Sequence, residues 1–293
     1  MQPYSYRPQR PIAKKRRSKR WLYIFALIIL VFIIIWVRQL SSPQHSSVAP
    51  ANNNQTTNKQ SEIAKSATPL PNVQSLVETW TASNTGVYSI VVQDLETKTV
   101  LAAYRADESY FAASIYKLYV AYLGLIDIQA GKYSLDDPFL NDWSRQKCLD
   151  EMIRNSYSPC AEKLWVEQGK TASTERLKKF GITGTNMEGL TTTAHDVDII
   201  LSRLHQRKEL DEKHTQILLD AMKGQKYRDA IPVGVPTLTV YDKVGFRELV
   251  EYHDVAIVVL PNGRNVAITL LTKNAGTRRM ADITKQIFTA LQR

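Results

Sequence analysis

Residues 254–273 read DVAIVVLPNGRNVAITLLTK. Two apolar runs, Asp254–Leu260 and Asn265–Lys273, flank Pro261-Asn262-Gly263, and turn residues between two such runs mark a β-hairpin. Outward from it, Thr239–Phe246 reads as a third strand and Thr277–Gln292 as a closing helix. Far upstream lies a second hairpin, Val87–Gln93 and Thr99–Tyr104, joined by the polar turn Asp94-Leu95-Glu96-Thr97-Lys98. The chain between the hairpins is helical in pattern. Ala112–Ile128 repeats Leu118, Tyr122, Leu125 and Ile126 on one face. Helical patterns continue through Cys148–Asn155, Ala161–Gln168, Ser173–Phe180, Ala194–Arg207 and Glu212–Met222, and Val73–Thr81 reads as a short amphipathic helix. The order is two strands, several helices, three strands, one helix. It predicts an α+β fold: a five-stranded antiparallel sheet built from both ends, flanked by helices, with an all-α subdomain inserted in the middle. A cleft is expected where the insert meets the sheet.

Four regions are expected along the chain. Residues 1–20 form a basic arm ending in KKRRSKR, Lys14–Arg20. Trp21–Val37, WLYIFALIILVFIIIWV, has no charged residue and is roughly 25 Å long at helical rise, near the short limit for a bilayer core. Trp21, Tyr23 and Trp36 sit near its ends, where amphipathic rings favour the headgroup zone. Basic flanks stay in the cytoplasm, and no A-x-A-like cleavage site follows. This is read as an uncleaved, single-pass signal anchor in the cell membrane, with the remainder extracytoplasmic. Residues 38–72, rich in Ser, Asn, Gln, Thr and Pro, read as a flexible tether with a reach of roughly 30 Å. Residues 73–293 form the folded domain.

The net charge of +10 does not imply a nucleic-acid partner. Residues 1–38 hold nine of the 38 Lys and Arg and none of the 28 Asp and Glu, so 29 basic residues face 28 acidic ones in the rest. The excess is a topology signal beside a lipid bilayer. The five histidines, His45, His195, His205, His214 and His253, lack metal-ligand spacing, so no metal and no cofactor is expected. His195-Asp196 reads as helix capping. Two cysteines, Cys148 and Cys160, are too few for a zinc framework. A disulfide and two buried thiols both fit them.

Chemistry is suggested by three short segments. Ser114-Ile115-Tyr116-Lys117 is an S-x-x-K, and on a helix positions i and i+3 share a face, bringing an amine toward a hydroxyl. A serine needs such a base to become a nucleophile, and a buried lysine can supply it. Ser144-Arg145-Gln146-Lys147 repeats the pattern in a polar stretch, so the motif alone is weak. Asn155-Ser156-Tyr157-Ser158-Pro159 falls between two helices. Lys243-Val244-Gly245 lies on the strand Thr239–Phe246, where a mid-strand glycine marks close approach of another backbone or a ligand.

In this order the segments resemble the penicillin-recognising active-site-serine hydrolases, in the class A beta-lactamase-like branch. Ser114–Lys117 matches the family's S-x-x-K, Ser156-Tyr157-Ser158 its S-D-N, and Lys243-Val244-Gly245 its K-T-G. The resemblance covers about residues 73–293. It implies that Ser114 forms an acyl-enzyme with a beta-lactam or a D-alanyl-D-alanine peptidoglycan stem, activated by Lys117. Ser156 is implied to pass a proton to the leaving nitrogen beside Lys243, and Lys243 to attract the substrate carboxylate. The N–H groups of Ser114 and Phe246 are implied to form an oxyanion hole. Ser158, Val244, Gly245, Phe246 and Arg247 are implied to line the substrate.

The sequence also departs from the family. Ser158 stands where the family has an amide, and Val244 where it has a hydroxyl. Thr183–Leu190, TGTNMEGL, is shorter than the loop that carries the deacylating glutamate, and its one carboxylate, Glu188, reads as a solvated loop residue. Slow hydrolysis of the acyl-enzyme is therefore expected. A D,D-carboxypeptidase-type peptidoglycan enzyme and a catalytically degenerate cell-wall or beta-lactam sensor remain alternatives.

Overall fold

The computed structural model describes residues 69–247 and 250–293. The basic arm, the anchor and residues 38–68 of the tether lie outside this range. Among the described residues no helix is long and apolar enough to cross a membrane.

The two hairpins meet through their inner strands. Strand β1 (Val87–Asp94) pairs with β2 (Thr99–Tyr104) on one side and with β9 (Asn265–Lys273) on the other. Beyond β9 come β8 (Glu251–Val259) and β7 (Thr239–Arg247), giving a five-stranded antiparallel sheet of order β2-β1-β9-β8-β7. Strand β7 lies at the edge, so its outer hydrogen-bonding groups are available to a ligand.

Alternation along the strands feeds two cores. Val255, Ile257, Ala267 and Leu271 face the helical layer, while Ala256, Val258, Val266 and Ile268 face the other side. There α1 (Gln74–Ser83) contributes Val77 and Trp80, and α9 (Thr277–Leu291) contributes Met280, Ile283, Ile287 and Phe288. Helices cover both faces, which is why β8 and β9 read as nearly unbroken apolar runs.

The helical block follows a two-residue strand β3 (Tyr110–Phe111) and a 3₁₀ turn, Ala113–Ile115. It comprises α2 (Tyr116–Gln129), α3 (Arg145–Arg154), α4 (Ser158–Gln168), α5 (Lys170–Lys178), α6 (Ala194–His205) and α7 (Glu212–Lys223). A short α8 (Ile231–Gly234) leads back to the sheet. Two small ladders were not legible in the sequence: β4 (Pro138–Leu140) with β5 (Trp143–Ser144), and β3 with β6 (Thr191–Thr192).

The helix expected over Ala112–Ile128 is broken at its start. Ala113 has φ +44°, a left-handed value that a continuous helix does not permit, so α2 begins only at Tyr116. Nor is α2 apolar on one face alone. Tyr116 through Leu125 are all buried, Lys117 and Gly124 included, as expected of a central helix covered on every side.

Cys148 on α3 and Cys160 on α4 form a disulfide with Cα atoms 5.3 Å apart. Thr193 caps α6 by accepting from the Asp196 N–H (3.0 Å). The Asp196 carboxylate instead accepts from Thr183 N–H (3.2 Å) and Thr185 Oγ1 (2.7 Å), holding the TGTN segment, and exposed His195 pairs with Asp107. Neither His195 nor Asp196 is the cap.

Candidate active site

Ser114 occupies the centre of the 3₁₀ turn and is partly exposed. Two tethers hold the approach to it. Ala112 N–H donates to Leu190 O (2.7 Å), and buried His253 Nε2 lies 2.8 Å from Phe111 O. His253 Nδ1 accepts from Thr272 N–H (3.1 Å), so Nε2 carries the proton and the ring is neutral. Burial pushes this histidine down to about 4.

Strand β7 passes against the same turn. A Cβ built on Gly245 would sit 3.1 Å from each of Ser114 N, Ile115 N and Ile115 Cγ1. Glycine is required by this close approach. It sets the Ser114 amide beside the strand that continues into Phe246.

Lys117 is 1% exposed. Its Nζ donates to Ser156 O (2.5 Å), Ser158 Oγ (2.9 Å) and, more weakly, Ser156 Oγ (3.4 Å). Ser114 Oγ is not among its partners, and catalytic hydrogen bonds often close only with substrate bound. Burial lowers the Lys117 amine to about 8. Ser156 follows the C-terminus of α3 with φ +53°, which turns the chain into α4 and aims the hydroxyl inward.

Lys243 is fully buried. Its Nζ donates to Ser156 Oγ (3.0 Å) and Val244 O (2.7 Å). Burial, then the charge of Lys117, lowers this amine to about 7. Two carboxylates oppose that shift: Asp242 and Asp254, both fully buried. Asp242 accepts from Arg228 Nη1 (2.8 Å) and Asp254 from Ile231 N–H (2.9 Å), and each keeps one oxygen without a partner. Burial raises both, Asp242 to about 7.

The structure thus brings Lys117, Ser156, Ser158 and Lys243 together beside the Ser114 turn. Ser158 touches Lys117. Arg247 is engaged elsewhere, in a bidentate pair with Glu251 (2.8 and 2.7 Å) and stacked 4.1 Å over the Phe111 ring. Phe246 is exposed, edge-on to Tyr227. Glu188 is exposed in a tight turn held by Asn186 Oδ1. Among the described residues no carboxylate hydrogen-bonds to Lys117 or Ser156, and no group of three or more His, Cys, Asp and Glu side chains could hold a metal.

His253, Asp242 and Asp254 were missed in the sequence. The signal was there: charged residues inside apolar strand runs, where only a specific partner justifies burial. The second S-x-x-K is also accounted for, since Ser144 Oγ caps α3 by accepting from Lys147 N–H (3.2 Å).

Solved structures with the same fold include an ancestral class A beta-lactamase, with TM-score 0.68 and 20% identity over 74% of this chain and 99% of that one. A beta-lactamase from Desulfarculus baarsii matches with TM-score 0.68 and 18% identity, over 74% and 96% of the two chains. PBP-A matches with TM-score 0.64 and 16% identity, over 80% and 96%. No curated protein sequence matches the chain significantly. The sequence profile of the Beta-lactamase enzyme family matches residues 72–142 and 141–291. The chain belongs to the beta-lactamase enzyme family and is a serine hydrolase with the class A beta-lactamase-like fold.

Proposed function

We propose that this protein is a membrane-anchored, extracytoplasmic hydrolase that acylates on Ser114 with beta-lactam or D-alanyl-D-alanine type substrates. The observation that carries this reading is the meeting of two buried amines at Ser156 Oγ, beside the turn that holds Ser114. Lys117, lowered toward neutrality by burial, takes the Ser114 proton as Oγ attacks the carbonyl carbon. The Ser114 and Phe246 N–H groups stabilise the developing oxyanion. The C–N bond then breaks, and Ser156 gives its proton to the leaving nitrogen while recovering one from the lysine pair. Water or another acceptor must release the acyl group.

Among the described residues no carboxylate hydrogen-bonds to Lys117 or Ser156, although Glu162 lies close enough to oppose the lowering of the Lys117 amine, and the lack of a directly bonded carboxylate favours a long-lived acyl-enzyme over rapid beta-lactam hydrolysis. A penicillin-binding or sensing role follows from slow deacylation, and PBP-A-like folding is compatible with it. The anchor Trp21–Val37 and the tether are argued from sequence alone, and a tether of this length has a root-mean-square reach of roughly 30 Å.

Incubation of the full chain with a fluorescent penicillin, followed by intact mass over time, tests the proposal. An adduct absent in Ser114→Ala is expected, and it should decay over minutes or longer. No adduct on folded protein refutes the acylation reading, and rapid turnover refutes slow deacylation.

A further inference from the structure

At the edge of the sheet opposite β7, between the β1–β2 hairpin and α6, lies a cavity of about 410 Å³. That is more than twice the roughly 150 Å³ that holds a benzene ring. Two cross-strand pairs, Val91 with Ala103 and Gln93 with Val100, form its floor. The strand register slips between Val92 and Gln93, and a slip of this kind at a sheet edge re-aims a side chain. One face of α6 forms the wall, with His195, Asp198, Ile199, Ser202 and Arg203 at helical spacing. Ser114, Lys117, Ser156, Ser158 and Lys243 are not among the described residues that line it.

Two hydrogen-bond acceptors are stranded here. Asp198 is 4% exposed, and its Oδ1 has no partner among the described residues. Gln93 Oε1 is likewise buried without one. A buried acceptor left unbonded is costly, and a donor would recover that cost. The other charges of the lining are answered or solvated. Asp107 pairs with His195 (2.9 Å), both of them exposed, and Lys208 is exposed. Arg203 is spent on Glu209 and on Phe180 O. Burial, against the pull of His195, raises the Asp198 carboxyl to about 7, the behaviour of a carboxylate that lacks a cation. A primary ammonium supplies that cation and three N–H donors, enough for both acceptors. Its alkyl stem would lie against Val91, Val100 and Ile199.

We infer that this cavity binds a primary alkylammonium group of the lysine side-chain type, with Asp198 as counter-ion and Gln93 as second acceptor. The site is independent of acylation at Ser114.

The test is saturation-transfer NMR of the full chain with Nα-acetyl-lysine methylamide and with the same compound acetylated at Nε. The free amine should bind at least tenfold more tightly than the acetylated one. Equal binding, or no binding of the amine at pH 8, overturns the inference. Affinity should fall about tenfold from pH 8 to pH 6, because Asp198 gives up its charge while the lysine amine keeps its own. Protonation of His195 acts in the same direction, and a pH-independent affinity counts against Asp198 as counter-ion. Asp198→Asn, checked for folding by thermal melting, should weaken binding at least tenfold, and Gln93→Met should weaken it severalfold. Wild-type affinity in both variants removes the site. Ser114→Ala should bind the amine as wild type does, and a loss there would move the amine to the candidate active site and overturn the inference.

Discussion

Lys117 and Lys243 converge on one oxygen: their Nζ atoms lie 3.4 and 3.0 Å from Ser156 Oγ. Two ammonium groups so close, and both buried, repel each other and lose hydration. Burial lowers the Lys117 amine to about 8 against the pull of Glu162, and burial together with the charge of Lys117 lowers Lys243 to about 7.

The acylation rate should therefore rise with pH through about 7–8, where the pair gives up a proton and a base becomes available. Lys117→Arg keeps the charge but cannot deprotonate. It should lower the rate by about 10²–10⁴-fold. Rates of penicillin adduct formation between about pH 5 and 9 check this, and a flat wild-type profile would exclude the lysine base.

Gly245→Ala puts a methyl 3.1 Å from the Ser114 and Ile115 nitrogens, which are backbone atoms and cannot rotate away. Strand and turn must separate. A loss of about 1–3 kcal/mol in stability is expected. Acylation should fall by about tenfold or more, since the oxyanion donors lie on the two parts that move. Thermal melting together with acylation rates measures both, and wild-type values in the variant would mean the approach is not tight.

The two S-x-x-K segments should separate cleanly. Ser144→Ala removes the α3 cap and should cost about 1 kcal/mol, or roughly 2–4 °C in Tm, with acylation unchanged. Ser114→Ala should abolish acylation with little change in Tm. Swapped phenotypes would move the nucleophile to Ser144.

His253 predicts an acid-side loss of stability. Its folded pKa of about 4 lies below the unfolded value near 6.5, so the unfolded chain binds more protons between those limits. Stability from this residue is complete above about pH 6.5 and is lost as pH falls toward 4, by about 3 kcal/mol in total. His253→Gln can keep both hydrogen bonds without titrating. The variant should show a shallower decline in Tm than wild type over this window, and parallel declines would place the acid sensitivity elsewhere.

Much of this protein is written locally. The P-N-G hairpin, the upstream hairpin and the helical periodicities determine which elements form, because turn chemistry and side-chain period act over a few residues. The S-x-x-K, S-Y-S and K-V-G segments are likewise readable as strings. What a string does not carry is which charges end up sharing space. Only the folded chain brings Lys243 on β7 to Ser156 after α3, 87 residues away, and so lowers its amine. Only packing distinguishes Ser114, held beside Gly245, from Ser144, spent on a helix cap. Only the fold shows Ser158 bonded to Lys117 and Arg247 paired with Glu251. Sequence by itself determined the elements and the chemical vocabulary. Tertiary structure decided each group's charge, partner and reach, because desolvation and Coulomb interaction depend on distance in space and not along the chain.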